Sequence, residues 1–407
     1  MDKLLRTYFL TLAIFALFSG VSVSQTTSSP YSIFGLGLIE GKSIGPSIAM
    51  GGTGIASLSG RHLNLQNPAS FSGIDSLVSI FETGFFGKYT IYSTASKNQS
   101  SLDANFKYMA LGFRINHWLT TSFGFTPYSS IGYNIKTQAD VEGTNQMYNK
   151  RFSGEGGANQ LFLGSSVRFL KRFSVGANLS YIFGTVTQVE SSDDYYYNLK
   201  DVTYLSNIHL DYGLHYNFSV RNWDVSLGAI YGASKKLTTE NVTTLTTNLE
   251  IEEIKSARHK FTIPQNYGFG FAVEKEYFRI AADYERSNWK DIRFENLYLH
   301  TRNSQRFSLG VEFPSQGLNK GTGKMILYRF GAQYRQSYMV IKNIPIDYYS
   351  VSMGAGLPLK GAISTVNLSL ELGQNGTTTK GLFRENFINL HVDLSLRDLW
   401  FMKRRYL

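Results

Sequence analysis

From residue 76 onward, apolar and polar residues alternate one by one. In 207–217, NIHLDYGLHYN, the residues Ile208, Leu210, Tyr212, Leu214 and Tyr216 share one face, and Asn207, His209, Asp211, Gly213, His215 and Asn217 share the other. The stretch FINLHVDLSLRDLWF at 387–401 repeats this, as do VSLGAIYGA at 225–233 and VNLSLEL at 366–372. A period of two predicts strands with one apolar face. Tight polar turns, each ended by an aromatic, fall at 115–118, 170–173, 220–223 and 274–277, with another short turn at 357–361. Between them lie long polar segments at 88–101, 138–150, 189–201, 239–257, 290–304 and 374–385, which read as loops. Strands are expected near 76–88, 102–115, 118–137, 150–170, 173–188, 202–218, 223–238, 258–274, 277–289, 305–313, 325–339, 346–358, 362–373 and 386–400, fourteen in all. Short turns at one end, long loops at the other and aromatics beside the turns describe a transmembrane antiparallel β-barrel. A soluble sandwich has no reason to segregate its turns this way.

Composition strengthens that reading. Aromatics make up 14 % of the chain, with 26 Tyr, 29 Phe and 38 Gly, yet only 43 % of residues are hydrophobic. Many aromatics without high hydropathy suits a wall in which every second residue meets lipid. Residues 1–24 carry Lys3 and Arg6, an apolar run from 10 to 18 and the small-x-small Ser22-Val23-Ser24, the features of a cleaved signal peptide. The run is shorter than the ~20 residues a membrane helix needs. The chain has no cysteine, so neither a lipoprotein anchor nor a disulfide framework is expected. The formal charge is +10, but the basic residues are scattered and give no nucleic-acid footprint. Residues 75–401 are read as the barrel and 402–407 as a basic tail.

Residues 25–74 do not alternate and are rich in Gly, Ser and Asn. They trail in the periplasm or fold inside the lumen. The lumen is the better place, because a barrel of fourteen strands is wider than the ~8 whose side chains fill their own interior. In this hatch stand Gly51, Gly52 and Gly54, then Asn67, Pro68 and Ala69. The pattern A-M-G-G-x-G-x-A followed by N-P-A resembles the hatch of the FadL/TodX-type outer-membrane transporters of hydrophobic compounds. Two further pieces agree: SGEGGAN at 153–159, and Pro264-x-x-Tyr267-x-x-Gly270. SPYSIFGLG at 29–37 resembles the start of a divergent branch of that family. The resemblance implies an outer-membrane location, surrounding lipid, a hydrophobic small-molecule ligand such as a long-chain fatty acid, and passive lateral exit through the wall.

Candidate chemistry is sparse. Gly154, Glu155, Gly156 and Gly157, with Asn159, sit inside an expected strand, where a glycine run favours a bulge or kink and a lateral opening. The other reading is a turn between hairpins; Glu155 is either a gate or a solvated charge. Leu245, Leu249, Ile251 and Ile254 read either as an apolar lip for ligand capture or as residues that hold the loop to its neighbour. Gly51-Gly52-Thr53-Gly54 lacks the Lys-Ser/Thr of a phosphate loop. His209, Asp211 and His215 share a face without metal-site spacing, and no nucleophile–base set stands out, so no cofactor, metal or enzyme activity is expected. Two functions remain: a channel for hydrophobic small molecules, or a non-transporting barrel subunit of an envelope protein-assembly or secretion complex.

Overall fold

The computed structural model describes residues 29–141, 143–144, 146–170, 172–256, 260–290, 292, 299–315, 325–359 and 364–399. The signal peptide, most of the turn at 314–324, Trp400 and Phe401, the basic tail and the side chain of Ile254 lie outside the described residues.

Fourteen wall strands are counted among the described residues: β1 (Val78–Ser93), β2 (Asn98–Arg114), β3 (Leu119–Asp140), β4 (Met147–Phe169), β5 (Phe173–Ser192), β6 (Tyr197–Val220), β7 (Trp223–Gly232 continued by Lys235–Thr246), β8 (Ile251–Ser256 and Lys260–Ile263 continued by Asn266–Lys275), β9 (Phe278–Ser287), β10 (Leu299–Thr301 and Ser304–Pro314), β11 (Leu327–Ile341), β12 (Ile344–Pro358), β13 (Thr365–Gly376) and β14 (Arg384–Leu399). The wall closes where β14 pairs antiparallel with β1, from Arg384 opposite Ser93 to Leu399 opposite Val78. Closure leaves no edge there for lipid to meet, and lipid cannot satisfy one.

Burial is inverted relative to a water-soluble protein. On β14, Leu390 and Val392 are exposed, whereas His391 and Asp393 are 4 % and 1 % exposed. The same inversion holds on β6, where Leu210, Tyr212 and Leu214 face out and His209, Asp211 and His215 face in. Apolar-out, polar-in alternation suits a hydrocarbon solvent.

The segments 138–150, 189–201 and 239–257 differ from the expected loops. The β3–β4 ladder runs up to Asp140 opposite Met147, the β5–β6 ladder to Ser192 opposite Tyr197, and the β7–β8 ladder to Thr246 opposite Ile251. Their Thr, Tyr and Val content favours a pleated strand even in water. The β6 strand reaches 24 residues, where ~9–11 suffice to cross a bilayer, so β3–β8 rise as a crest above the shorter β9–β13.

The N-terminal segment lies inside the wall. It holds a 3₁₀ turn at Pro30–Ile33, a two-residue strand at Leu38–Ile39, one helical turn at Pro46–Ala49 (α1) and a second 3₁₀ turn at Pro68–Gly73. Three of the four start with proline, whose fixed φ suits the first helical position and whose missing N–H is no loss there.

Candidate functional site

The hatch is stitched to the wall strand by strand. Asn67 caps the Pro68–Gly73 turn by accepting from Ala69 N (3.0 Å), and its Nδ2 donates to Ile55 O (2.7 Å) and to Leu214 O on β6 (3.0 Å). Asp283 on β9 accepts from Gly54 N (2.6 Å) and Ile55 N (3.0 Å). Gly51 N donates to Ser352 Oγ on β12 at 2.9 Å. Gly51 and Gly52 have φ of 66° and 80°, which lets the chain turn back at the wall. Inward-facing wall glycines form a belt at this height. A Cβ on Gly176 or Gly213 would collide with Asn67, Pro68 and Ala69; one on Gly228 with Ile55 and Ala56; one on Gly331 with Met50 and Gly51. Bare backbone on the wall thus meets bare backbone on the hatch, as close approach requires.

Higher in the lumen, Tyr31 joins Trp289, Leu299, Tyr338 and Ile346 in an apolar cluster, with Trp289 and Tyr338 stacked at 4.1 Å. Leu36 joins a second cluster with Ile131, Ile182, Val186 and Leu237. A cavity of about 140 Å³ remains between Ile39–Ile44, Tyr128 and Trp289. Its lining includes Glu40, Lys42, Lys107, His209 and Asp211.

The wall has a parted seam beside this cavity. β2 and β3 pair only from Met109–Phe125 to Arg114–Thr120. Two residues beyond the last pair stands Pro127, which has no N–H for a ladder. A register shift between Pro127 and Ser129 leaves Tyr128 as an extra residue against β4. The bulge directs β3 toward the hatch. Leu38 and Ile39 pair with Ser130 and Ser129, Glu40 N donates to Tyr128 O (2.9 Å), and Ser29 N donates to Gly132 O (2.8 Å). Glu40 joins both lips of the seam, accepting from Ser130 Oγ on β3 (3.1 Å) and from Lys107 Nζ on β2 (2.9 Å). Burial acts to raise the Glu40 carboxyl, but the Lys107 charge and these hydrogen bonds outweigh it and hold it below the ordinary glutamate value. On the other side Lys42 pairs with Asp211 at 2.5 Å.

The residues read as a wall kink stand one strand from this seam. Gly154, Glu155, Gly156 and Gly157 keep their pairing with β3 on one side and β5 on the other. Gly156 and Gly157 have φ of 102° and 145°, and Asn159 lies opposite Pro127, at the bulge. Glu155 is exposed. The glycine run therefore accommodates the bulged β3 across an intact ladder, and the interruption itself lies between β2 and β3. Pro127 inside an expected strand was the available signal for it; the pairing of Leu38–Ile39 with β3 had none. Leu245 lies near the tip of the β7–β8 hairpin, with Leu249 and Ile251 exposed at the tip itself, far along the crest from the cavity lining.

Among the described residues no group of His, Asp and Glu is arranged to hold a metal ion. His62, Glu82 and Ser395 have the composition of a catalytic set, at 3.2 Å (His62–Glu82), 3.0 Å (His62–Ser395) and 2.6 Å (Ser395–Glu82). Both histidine contacts use Nδ1, so no relay runs through the ring from carboxylate to hydroxyl. The cluster joins the hatch to the β1–β14 closure.

Solved channels share this architecture. The toluene transporter TodX of P. putida matches with a TM-score of 0.62 at 15 % identity, over 89 % of this chain and 100 % of that one. The toluene transporter TbuX of Ralstonia pickettii gives 0.59 at 15 % identity, over 88 % and 98 %. The monoaromatic hydrocarbon channel CymD gives 0.57 at 15 % identity, over 91 % and 100 %. At such identity the likeness establishes the fold. The model of the BamG family matches residues 5–407. The chain belongs to the BamG family. No curated protein matches it. This BamG-family barrel thus carries the fold of the hydrocarbon channels, and the resemblance of its motifs to theirs is met at the level of that fold.

Proposed function

We propose that this BamG-family protein is a non-transporting outer-membrane barrel subunit of an envelope protein-assembly machine, the BAM complex to which the family's name points. The observation that carries the reading is the filled lumen. The hatch seats its backbone against wall glycines on at least six strands, and apolar clusters close the space above it. The cavity of about 140 Å³ between Ile39 and Trp289 mixes apolar side chains with the charges of Glu40, Lys42, Lys107 and Asp211. An acyl chain gains ~0.8 kcal/mol per CH₂ on leaving water, but entering this cavity would strip solvation from Glu40, Lys42 and Asp211, which opposes that gain. The channel reading rests on the parted β2–β3 seam, and for it the hatch strand and Glu40 act as the closed gate. Purification in mild detergent from native membranes, followed by mass spectrometry, separates the two. A stoichiometric protein partner is expected. A solitary barrel carrying apolar small molecules would instead establish the channel.

A further inference from the structure

The outer face of β8–β13 carries a cavity that neither reading of the lumen uses. Reading across the strands by register, Phe271, Ala282, Leu309, Ala332, Val351 and Leu372 form one outward row. Ala282 and Ala332 make pits between the bulkier neighbours. The next row toward the outside is Phe269, Tyr284, Phe307, Tyr334, Tyr349 and Gln374. Its rings touch, with centroids 5.0 Å apart for Tyr284–Phe307 and 4.9 Å for Tyr334–Tyr349. The shallow, open depression between these rows has a volume of about 990 Å³ and is lined almost wholly by apolar atoms. Such aromatic rows lie at the membrane–water interface.

One row further out, the surface turns polar. Arg286, Gln305, Gln336 and Asp347 stand side by side there. Arg302 already binds Asp347. Arg286 lies two residues beyond Tyr284, so it points the same way. A cation therefore stands at headgroup height directly above an acyl-sized depression. The lower parts of β8–β13 pair continuously through this region, so the wall offers no open strand edge to an incoming polypeptide backbone. An acyl chain needs none.

We propose that this face binds one anionic, phosphate-bearing lipid, with an acyl chain over Ala282 and Ala332 and the phosphate on Arg286. The assignment does not depend on the barrel's role in assembly. Native mass spectrometry of the purified full chain, titrated with dioleoylphosphatidylglycerol or with dioleoylglycerol, which has the same acyl chains and no phosphate, tests it. One phosphatidylglycerol is expected to be retained about tenfold more tightly, the effect of one charge-assisted hydrogen bond. Arg286→Gln should abolish that preference while the barrel keeps its heat-modifiable mobility on gels. Ala332→Trp, which fills a pit without touching the lumen, should weaken retention of both lipids. Equal retention of the two lipids by the wild type overturns the proposal, and so does an undiminished preference in Arg286→Gln. A photo-crosslinking residue at position 332 that captures a protein in native membranes, in place of lipid, overturns it in favour of a protein interface.

Discussion

At the scale of single residues, the hatch depends on a few polar side chains that each serve two elements. Asn67 caps a turn and reaches two carbonyls, one of them on β6. Asn67→Ala leaves those carbonyls without their donor, at about 1–3 kcal/mol for each buried group left unsatisfied. A lowered unfolding temperature is expected, and Asn67→Asp, which keeps the cap but not the donors, should recover only part of it. Glu40 is the pH-sensitive member. Its folded pKa is depressed, so its stabilisation is complete above the unfolded glutamate value of about 4.3 and is lost as pH falls through the lower folded value. The chain has no cysteine, so spin labels placed at positions 41 and 104 report the hatch-to-β2 distance directly. A narrow distribution at neutral pH should broaden in acid, and Lys107→Ala should broaden it at both. A distribution that stays narrow in acid would mean that Glu40 does not latch the seam.

At the scale of elements, the belt of wall glycines is what lets the hatch lie flat against the strands. Gly331→Val would drive a branched side chain into Met50 and Gly51, whereas nothing lies within 4 Å of a Cβ on Gly87. The first substitution is expected to leave the barrel assembled but render residues 29–77 cleavable by added protease; Gly87→Val should leave them protected. If both variants resist protease equally, the belt does not seat the hatch. The strands themselves were readable from alternation, because facing inward or outward is a local property with a period of two. Their upper limits were not. The upper parts of strands such as Tyr197–Val220 carry polar residues on both faces above the membrane, and alternation in hydropathy disappears there although the ladder continues.

For the whole molecule, the wall and the plug answer different needs. Fourteen strands close the backbone against lipid, and the N-terminal segment packs against the inner face of that wall. Deleting residues 26–74 is expected to turn an electrically silent barrel into one with single-channel conductance in planar bilayers. Unchanged conductance would remove the plug from the account, and with it the main support for a non-transporting role.

A strand's face, its short turns and the glycine-rich composition of a segment that must pack against polar walls are all written locally. They made the barrel legible, and they pointed to the glycine-rich N-terminal segment, of which residues 29–74 are described, as the part that packs inside it. Which strand parts from its neighbour was not written locally. Pro127 marks a weak point, but the element that takes over the β3 edge is Leu38–Ile39, some ninety residues earlier. The pairing of Glu40 with Lys107, and the placing of Arg286 above Ala332, likewise depend on how far each strand is staggered against the next. That stagger is set by closure of the whole barrel around its hatch, and no short window of residues carries it.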